Sequence, residues 1–115
     1  MSHDQRRRSD RINVALPVRW IRGKRVVELT ANDMNLHGMF LRTDEETMPG
    51  ALMKLEVELP GGTIALFGTA RFVGTTMNGR GIGVEIYLLE DSARATWVAC
   101  YRAELQRSMR RAAVS

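Results

Sequence analysis

Cysteine is almost missing from this chain: Cys100 stands alone among 115 residues. No internal disulfide can form, so the fold must rest on its own core, and a reducing, cytosol-like compartment is the expectation. Histidine is scarce too. His3 and His37 are the only two, and neither lies at ligand spacing from another good metal ligand. Aromatic residues make up 6% of the chain. No apolar run approaches the roughly 20 residues of a membrane helix, and Met1 to Arg11 has no apolar stretch of the secretory-signal kind. G-x-S-x-G, a Walker-type loop and G-x-G-x-x-G are all absent. Gly79-Arg80-Gly81-Ile82-Gly83 is glycine-rich but enters a strand pattern instead of opening a helix, so it lacks the phosphate-cradling context. Cys100 falls within a helical pattern and reads as a small buried hydrophobe. Without a nucleophile and base in pairing, the chain reads as a binder and not an enzyme. No cofactor is expected.

What is present is a core and an uneven charge. The length fits one domain, with 44% hydrophobic and 26% charged residues, ordinary values for a globular protein. Net charge is +4, but residues 1–25 hold eight basic side chains against two acidic. Residues 26–93 hold four basic against ten acidic, and residues 94–115 hold five arginines and one glutamate. An acidic middle between basic ends suits a localised anionic partner. Solvated tails are the plain alternative for such ends.

The apolar pattern predicts strands first. Ile12 to Ile21 is β-branched and partly alternating, with Pro17 pointing to an edge position or a bulge. Arg22-Gly23-Lys24 reads as a turn and Arg25 to Asn35 as a second strand. Met39 to Thr43 is a short third strand, and Asp44 to Gly50 a loop. Leu52 to Leu59 alternates clearly, Leu55, Val57 and Leu59 against Lys54, Glu56 and Glu58. Turns at Pro60-Gly61-Gly62 and Asn78-Gly79 bracket a strand from Thr63 to Val73, and Arg80 to Tyr87 closes the series. Six strands with short connections predict a small antiparallel barrel or a sharply bent sheet. The end of the chain changes period. Glu90-Asp91-Ser92 offers a cap, and Trp97, Tyr101, Leu105, Met109 and Ala112 recur at helical spacing. The expected helix runs over about residues 91–112, five turns or so. It packs on the barrel by preference, with a dimer seam as the alternative.

Two clusters could carry recognition. In Arg6-Arg7-Arg8-Ser9-Asp10-Arg11, Arg7 and Arg11 share a face at a spacing of four. Paired guanidinium groups can address separate phosphates or guanine edges bidentately. In Asp33-Met34-Asn35-Leu36-His37-Gly38, Asp33 and Asn35 are expected on one strand face. A carboxylate can accept guanine N1–H and N2–H, and Asn can donate or accept. Gly38 is expected to let the backbone turn, through φ > 0, and to approach closely. Taken alone, the second stretch also reads as an Asx-stabilised turn.

Together these clusters resemble the PilZ domain family, with its R-x-x-x-R motif ahead of the first strand and its D/N-x-S-x-x-G motif near the second and third. Arg7-Arg8-Ser9-Asp10-Arg11 fits the first. Asp33 to Gly38 fits the second, with Asn35 where the family has serine. Gly38-Met39-Phe40-Leu41-Arg42-Thr43 and Arg80-Gly81-Ile82-Gly83-Val84-Glu85-Ile86 extend the likeness from about Arg6 to the C-terminal helix.

The resemblance implies a six-stranded antiparallel PilZ-type β-barrel with a C-terminal α-helix, residues 1–11 forming an arginine-rich arm and residues 12–115 the barrel and helix. It implies a cyclic di-GMP receptor in which Arg7 and Arg11 are the anchors. Arg6 and Arg8 are auxiliaries, and Asp33, Asn35 and Gly38 form the other half of the site. Asn35 adds volume and alters donor geometry, so binding is expected with its affinity open. The implied mechanism is an arm, mobile without ligand, drawn onto the barrel to change the surface offered to an unidentified downstream protein. The expectation is a cytoplasmic bacterial signalling protein, monomer or homodimer, without a membrane span. A second reading is a PilZ-like interaction module that binds no nucleotide. A nucleic-acid binder is disfavoured because residues 6–11 carry no interleaved aromatics.

Overall fold

The computed structural model describes residues 10–114. Six strands form a closed antiparallel barrel: β1 (Ile12–Arg22), β2 (Arg25–Met34), β3 (Gly38–Arg42), β4 (Leu52–Leu59), β5 (Gly62–Thr76) and β6 (Gly79–Leu88). The order around the barrel is β1-β2-β3-β6-β5-β4, closed by β1 against β4 from Val18↔Val57 to Ile21↔Lys54. Helix α1 (Asp91–Val114) follows. No helix among the described residues is long and apolar enough to cross a membrane.

Alternation explains the barrel. Val18 and Trp20 of β1, Met53, Leu55 and Val57 of β4, and Ile64 and Leu66 of β5 turn inward and are buried, while their neighbours face solvent. Met34, Met39, Leu41, Ala70, Ile82 and Val84 complete the interior. Closure leaves no full-length edge. Pro17, paired with Thr30, comes just before β1 gains β4 as a second neighbour. The missing donor therefore falls where β1 has one partner strand, which is the edge-like position expected of it.

Register shifts interrupt the pairing of β1 with β2, of β2 with β3 and, twice, of β5 with β6, and two of them shape the site. Between Ala31 and Asp33 the pairing of β2 with β3 skips Asn32. This bulge brings Asp33 opposite Phe40, whose neighbours Met39 and Leu41 both lie in the core. Asp33 thereby leaves the inward row. Between Ala70 and Phe72 the pairing of β5 with β6 skips Arg71, which turns Arg71 and Phe72 outward.

Helix α1 docks through its first half. Trp97, Cys100 and Tyr101 are buried against the core, and Leu105 is partly buried on it. The barrel, not a dimer seam, takes these side chains. Met109 is 62% exposed and Ala112 is exposed. The apolar row read from the sequence therefore meets the barrel only along its first part.

Candidate functional site

The site is built where the chain enters β1 and where β2 turns into β3. Arg11, one residue before β1, sends Nη1 to Asp33 Oδ1 at 2.6 Å. The Arg11 side chain is 52% exposed and that of Asp33 is 11% exposed. An outer, half-solvated guanidinium thus lies over an inner carboxylate. Asp33 has a second partner, Asn78 Nδ2, at 3.4 Å from Oδ2.

Strand β2 ends at Met34, so Asn35 does not share a strand face with Asp33 as expected. It lies in the turn, because its side chain competes with the ladder for backbone groups. Its Oδ1 accepts the His37 N–H at 2.8 Å, and its own N–H donates to the Gly38 carbonyl at 3.0 Å. The Asx-turn reading of this stretch and its motif reading coincide. Gly38 does not need φ > 0; among the described residues, positive φ occurs at Gly23, Gly50, Gly62 and Gly79. What requires glycine at 38 is proximity: a Cβ there would collide with the Val84 carbonyl oxygen of β6.

Helix α1 ties both halves of the site down. The Trp97 indole Nε1–H donates to the Asn35 carbonyl at 3.0 Å. The Tyr101 hydroxyl donates to the Asp10 carbonyl at 2.7 Å, one residue before Arg11. Two buried aromatics spend their polar ends on the two segments that carry the sequence motifs.

A cleft of about 430 Å³ opens between these segments and the β5–β6 ribbon. Arg11, Asn35, His37 and Gly38 form one wall, and Arg71, Phe72, Gly83, Val84 and Glu85 the other. Arg71 pairs with Glu85 at 2.6 Å on the rim, and Phe72 is 44% exposed. The cleft can offer guanidinium groups to phosphates, an aromatic face to a base and backbone groups to base edges. Cys100 takes no part. It is buried in α1, and burial first, with the Glu104 charge adding to it, pushes its thiol above the usual range, where it keeps its proton.

Of the residues singled out in the sequence, Arg11, Asp33, Asn35 and Gly38 come together here. Arg6, Arg7 and Arg8 lie outside the described residues. Arg71, Phe72, Glu85, His37 and Asn78 were not anticipated as site residues. For the first two the sequence points the other way: the alternation of Ile64, Leu66 and Ala70 runs on to Phe72, and the bulge that turns Phe72 outward is set by pairing with β6. No group of three or more metal-ligating side chains occurs among the described residues.

The PilZ domain family model matches residues 5–103. The structure is similar to that of the Bacillus subtilis inhibitor of motility MotI/DgrA, with a TM-score of 0.72 at 17% identity over 92% of this chain. The match spans 52% of that protein, so this chain covers about half its length. It is similar to the PilZ domain of YcgR from Escherichia coli, a structure with c-di-GMP, with a TM-score of 0.71 at 13% identity, covering 94% of this chain and 98% of that one. It is similar as well to the PilZ domain of CeSA from a cellulose-synthesizing bacterium, with a TM-score of 0.61 at 18% identity over 87% and 99% of the two chains. No curated protein matches the chain. At these identities the likenesses speak for the barrel and its helix, and the family model, which spans most of the sequence, identifies the chain as a member of the PilZ domain family.

Proposed function

We propose that this domain is a cyclic di-GMP receptor that performs no chemistry on its ligand and signals by changing its surface. The observation that carries the reading is the Arg11–Asp33 pair at 2.6 Å, set beside a cleft whose walls include Asn35 and Gly38. The pair is half open. Its guanidinium can turn to a phosphate while the carboxylate accepts guanine N1–H and N2–H. The exchange swaps charge partners and leaves neither group bare, which avoids the cost of a buried unpaired charge. Arg7, with Arg6 and Arg8 beside it, would supply further guanidinium groups to the second phosphate and to guanine edges. Phe72 offers a face on which a purine can stack. The output would be the altered position of the arginine segment over the barrel, read by a downstream protein.

One observation favours the second reading, an interaction module without nucleotide. The Asn35 side-chain Oδ1 already accepts the His37 N–H within its own turn, which leaves it less available to a ligand donor. Calorimetric titration with cyclic di-GMP, against GMP and cyclic AMP as controls, separates the two. Saturable binding of the dinucleotide alone is expected. Heats no different from those of the controls would leave the module reading.

A further inference from the structure

We propose that the β5–β6 hairpin is a lid over the carboxylate of the site, latched by Asn78, and that Asn78 sets how readily ligand enters. The inference rests on the reading of Asp33 as a guanine acceptor.

The argument starts from two side chains that ought to be exposed. Asp33 and Phe40 face each other across β2 and β3. Phe40 stands outside the core cluster, yet it is 5% exposed, and Asp33 is 8% exposed. Their cover is the start of the β5–β6 ribbon. Gly81 has no side chain, and any Cβ there would press on the Phe40 ring at 2.7 Å. The ribbon can therefore lie directly on that ring.

The β3–β6 ladder ends at Arg42↔Gly81, and one further backbone bond follows it, from the Thr43 N–H to the Arg80 carbonyl at 3.0 Å. The last rungs, Thr75↔Arg80 and Thr76↔Gly79, belong to the β5–β6 ladder, and Thr76↔Gly79 with the tip lies beyond the Thr43–Arg80 bond. An overhang of this kind is held by few contacts and opens at low cost. Its tip is nevertheless shaped. The Thr76 hydroxyl accepts the Asn78 N–H at 3.0 Å and donates to the Gly79 carbonyl at 3.3 Å, and Gly79 closes the turn at φ 100°. This fixes where the Asn78 side chain points. Its Nδ2 lies 3.4 Å from Asp33 Oδ2, and the Asn78 backbone carbonyl lies 3.5 Å from Asn32 Nδ2.

Asp33 therefore has both oxygens covered, Oδ1 by Arg11 and Oδ2 by Asn78. A guanine edge needs both. The Arg11 contact is short and charged, whereas the Asn78 contact is long and made by a neutral donor, so the latch yields first. Met77, at the tip and fully exposed, would move with it.

Removing a competitor for the carboxylate raises the fraction of binding-competent protein. Asn78→Ala should bind cyclic di-GMP about three- to tenfold more tightly than the parent chain. Amide exchange at residues 76–80 should speed up in the parent chain when the dinucleotide is added, while the remaining barrel slows. If the parent chain binds and Asn78→Ala binds equally or less tightly, or exchange at the tip slows with ligand, the lid is wrong and the receptor reading stands. If the parent chain fails to bind, the receptor reading falls and the lid falls with it.

Discussion

At the scale of single residues, the Arg11–Asp33 pair has two possible uses, a brace for the fold or a site for a ligand. Magnitudes separate them. The arginine side chain is half exposed, and ion pairs in that setting contribute about 0–1 kcal/mol to stability. Hydrogen bonds to charged groups in a ligand contribute about 1.5–3 kcal/mol. Arg11→Ala should therefore lower stability by less than about 1 kcal/mol and weaken cyclic di-GMP binding by about 1.5–3 kcal/mol. Denaturant unfolding and calorimetry on the same variant check both halves. A large loss of stability with unchanged affinity would make the pair structural.

Asn35 poses a finer question. Its side-chain Oδ1 caps the turn by accepting the His37 N–H, and a serine hydroxyl can bond the same N–H while occupying less room. Asn35→Ser should keep the turn and tighten binding several-fold. An affinity that stays the same or drops would show that Asn35 is no compromise.

At the scale of elements, helix α1 acts as a clamp on the site. Trp97 holds the turn at Asn35, and Tyr101 holds the backbone at Asp10. Tyr101→Phe keeps the buried ring and removes one hydrogen bond. The expected loss of stability is about 0.5–1.5 kcal/mol. The larger consequence is for Arg11, whose backbone loses its tether. Affinity should fall while the count of ligand per domain stays the same, and nuclear magnetic resonance signals near Arg11 should broaden in the free protein. Affinity equal to the parent chain, with the stability loss alone, would reduce Tyr101 to a packing residue.

The elements also show what a linear reading can and cannot reach. The alternation of Leu55, Val57 and Leu59 marks β4 without ambiguity, and the spacing of Trp97 and Tyr101 marks the docked face of α1. Arg11, Asp33, Asn35 and Gly38 are visible because their motifs are local. Arg71, Phe72 and Asn78 are not, because they reach the site through a bulge and a ribbon that curls over the sheet. Both depend on pairing between residues distant in sequence. Asn35 shows the opposite failure. Strand periodicity alone runs one residue too far, past Met34, where an Asx turn takes over the backbone bonds.

At the scale of the whole molecule, charge and stability decide which anion the protein prefers. The net charge of +4 comes from arginine-rich ends around an acidic middle, so any polyanion is attracted to some extent. A nucleic-acid binder gains its affinity by releasing counterions along many phosphates, and that affinity collapses steeply with salt. A receptor for a compact dinucleotide makes few phosphate contacts and adds base recognition in a partly closed cleft, where screening is weaker. Ligand bound to the folded state alone stabilises it by about 2.7 kcal/mol at a hundredfold excess over Kd. For a domain of this size that corresponds to a rise in Tm of about 10 °C. The expected result is a rise of this order with cyclic di-GMP, largely kept between low and moderate salt, and none with GMP. If single-stranded oligonucleotides raise Tm at low salt, the effect vanishes at moderate salt and the dinucleotide does nothing, the basic ends serve nucleic acid and the cleft serves no guanine ligand.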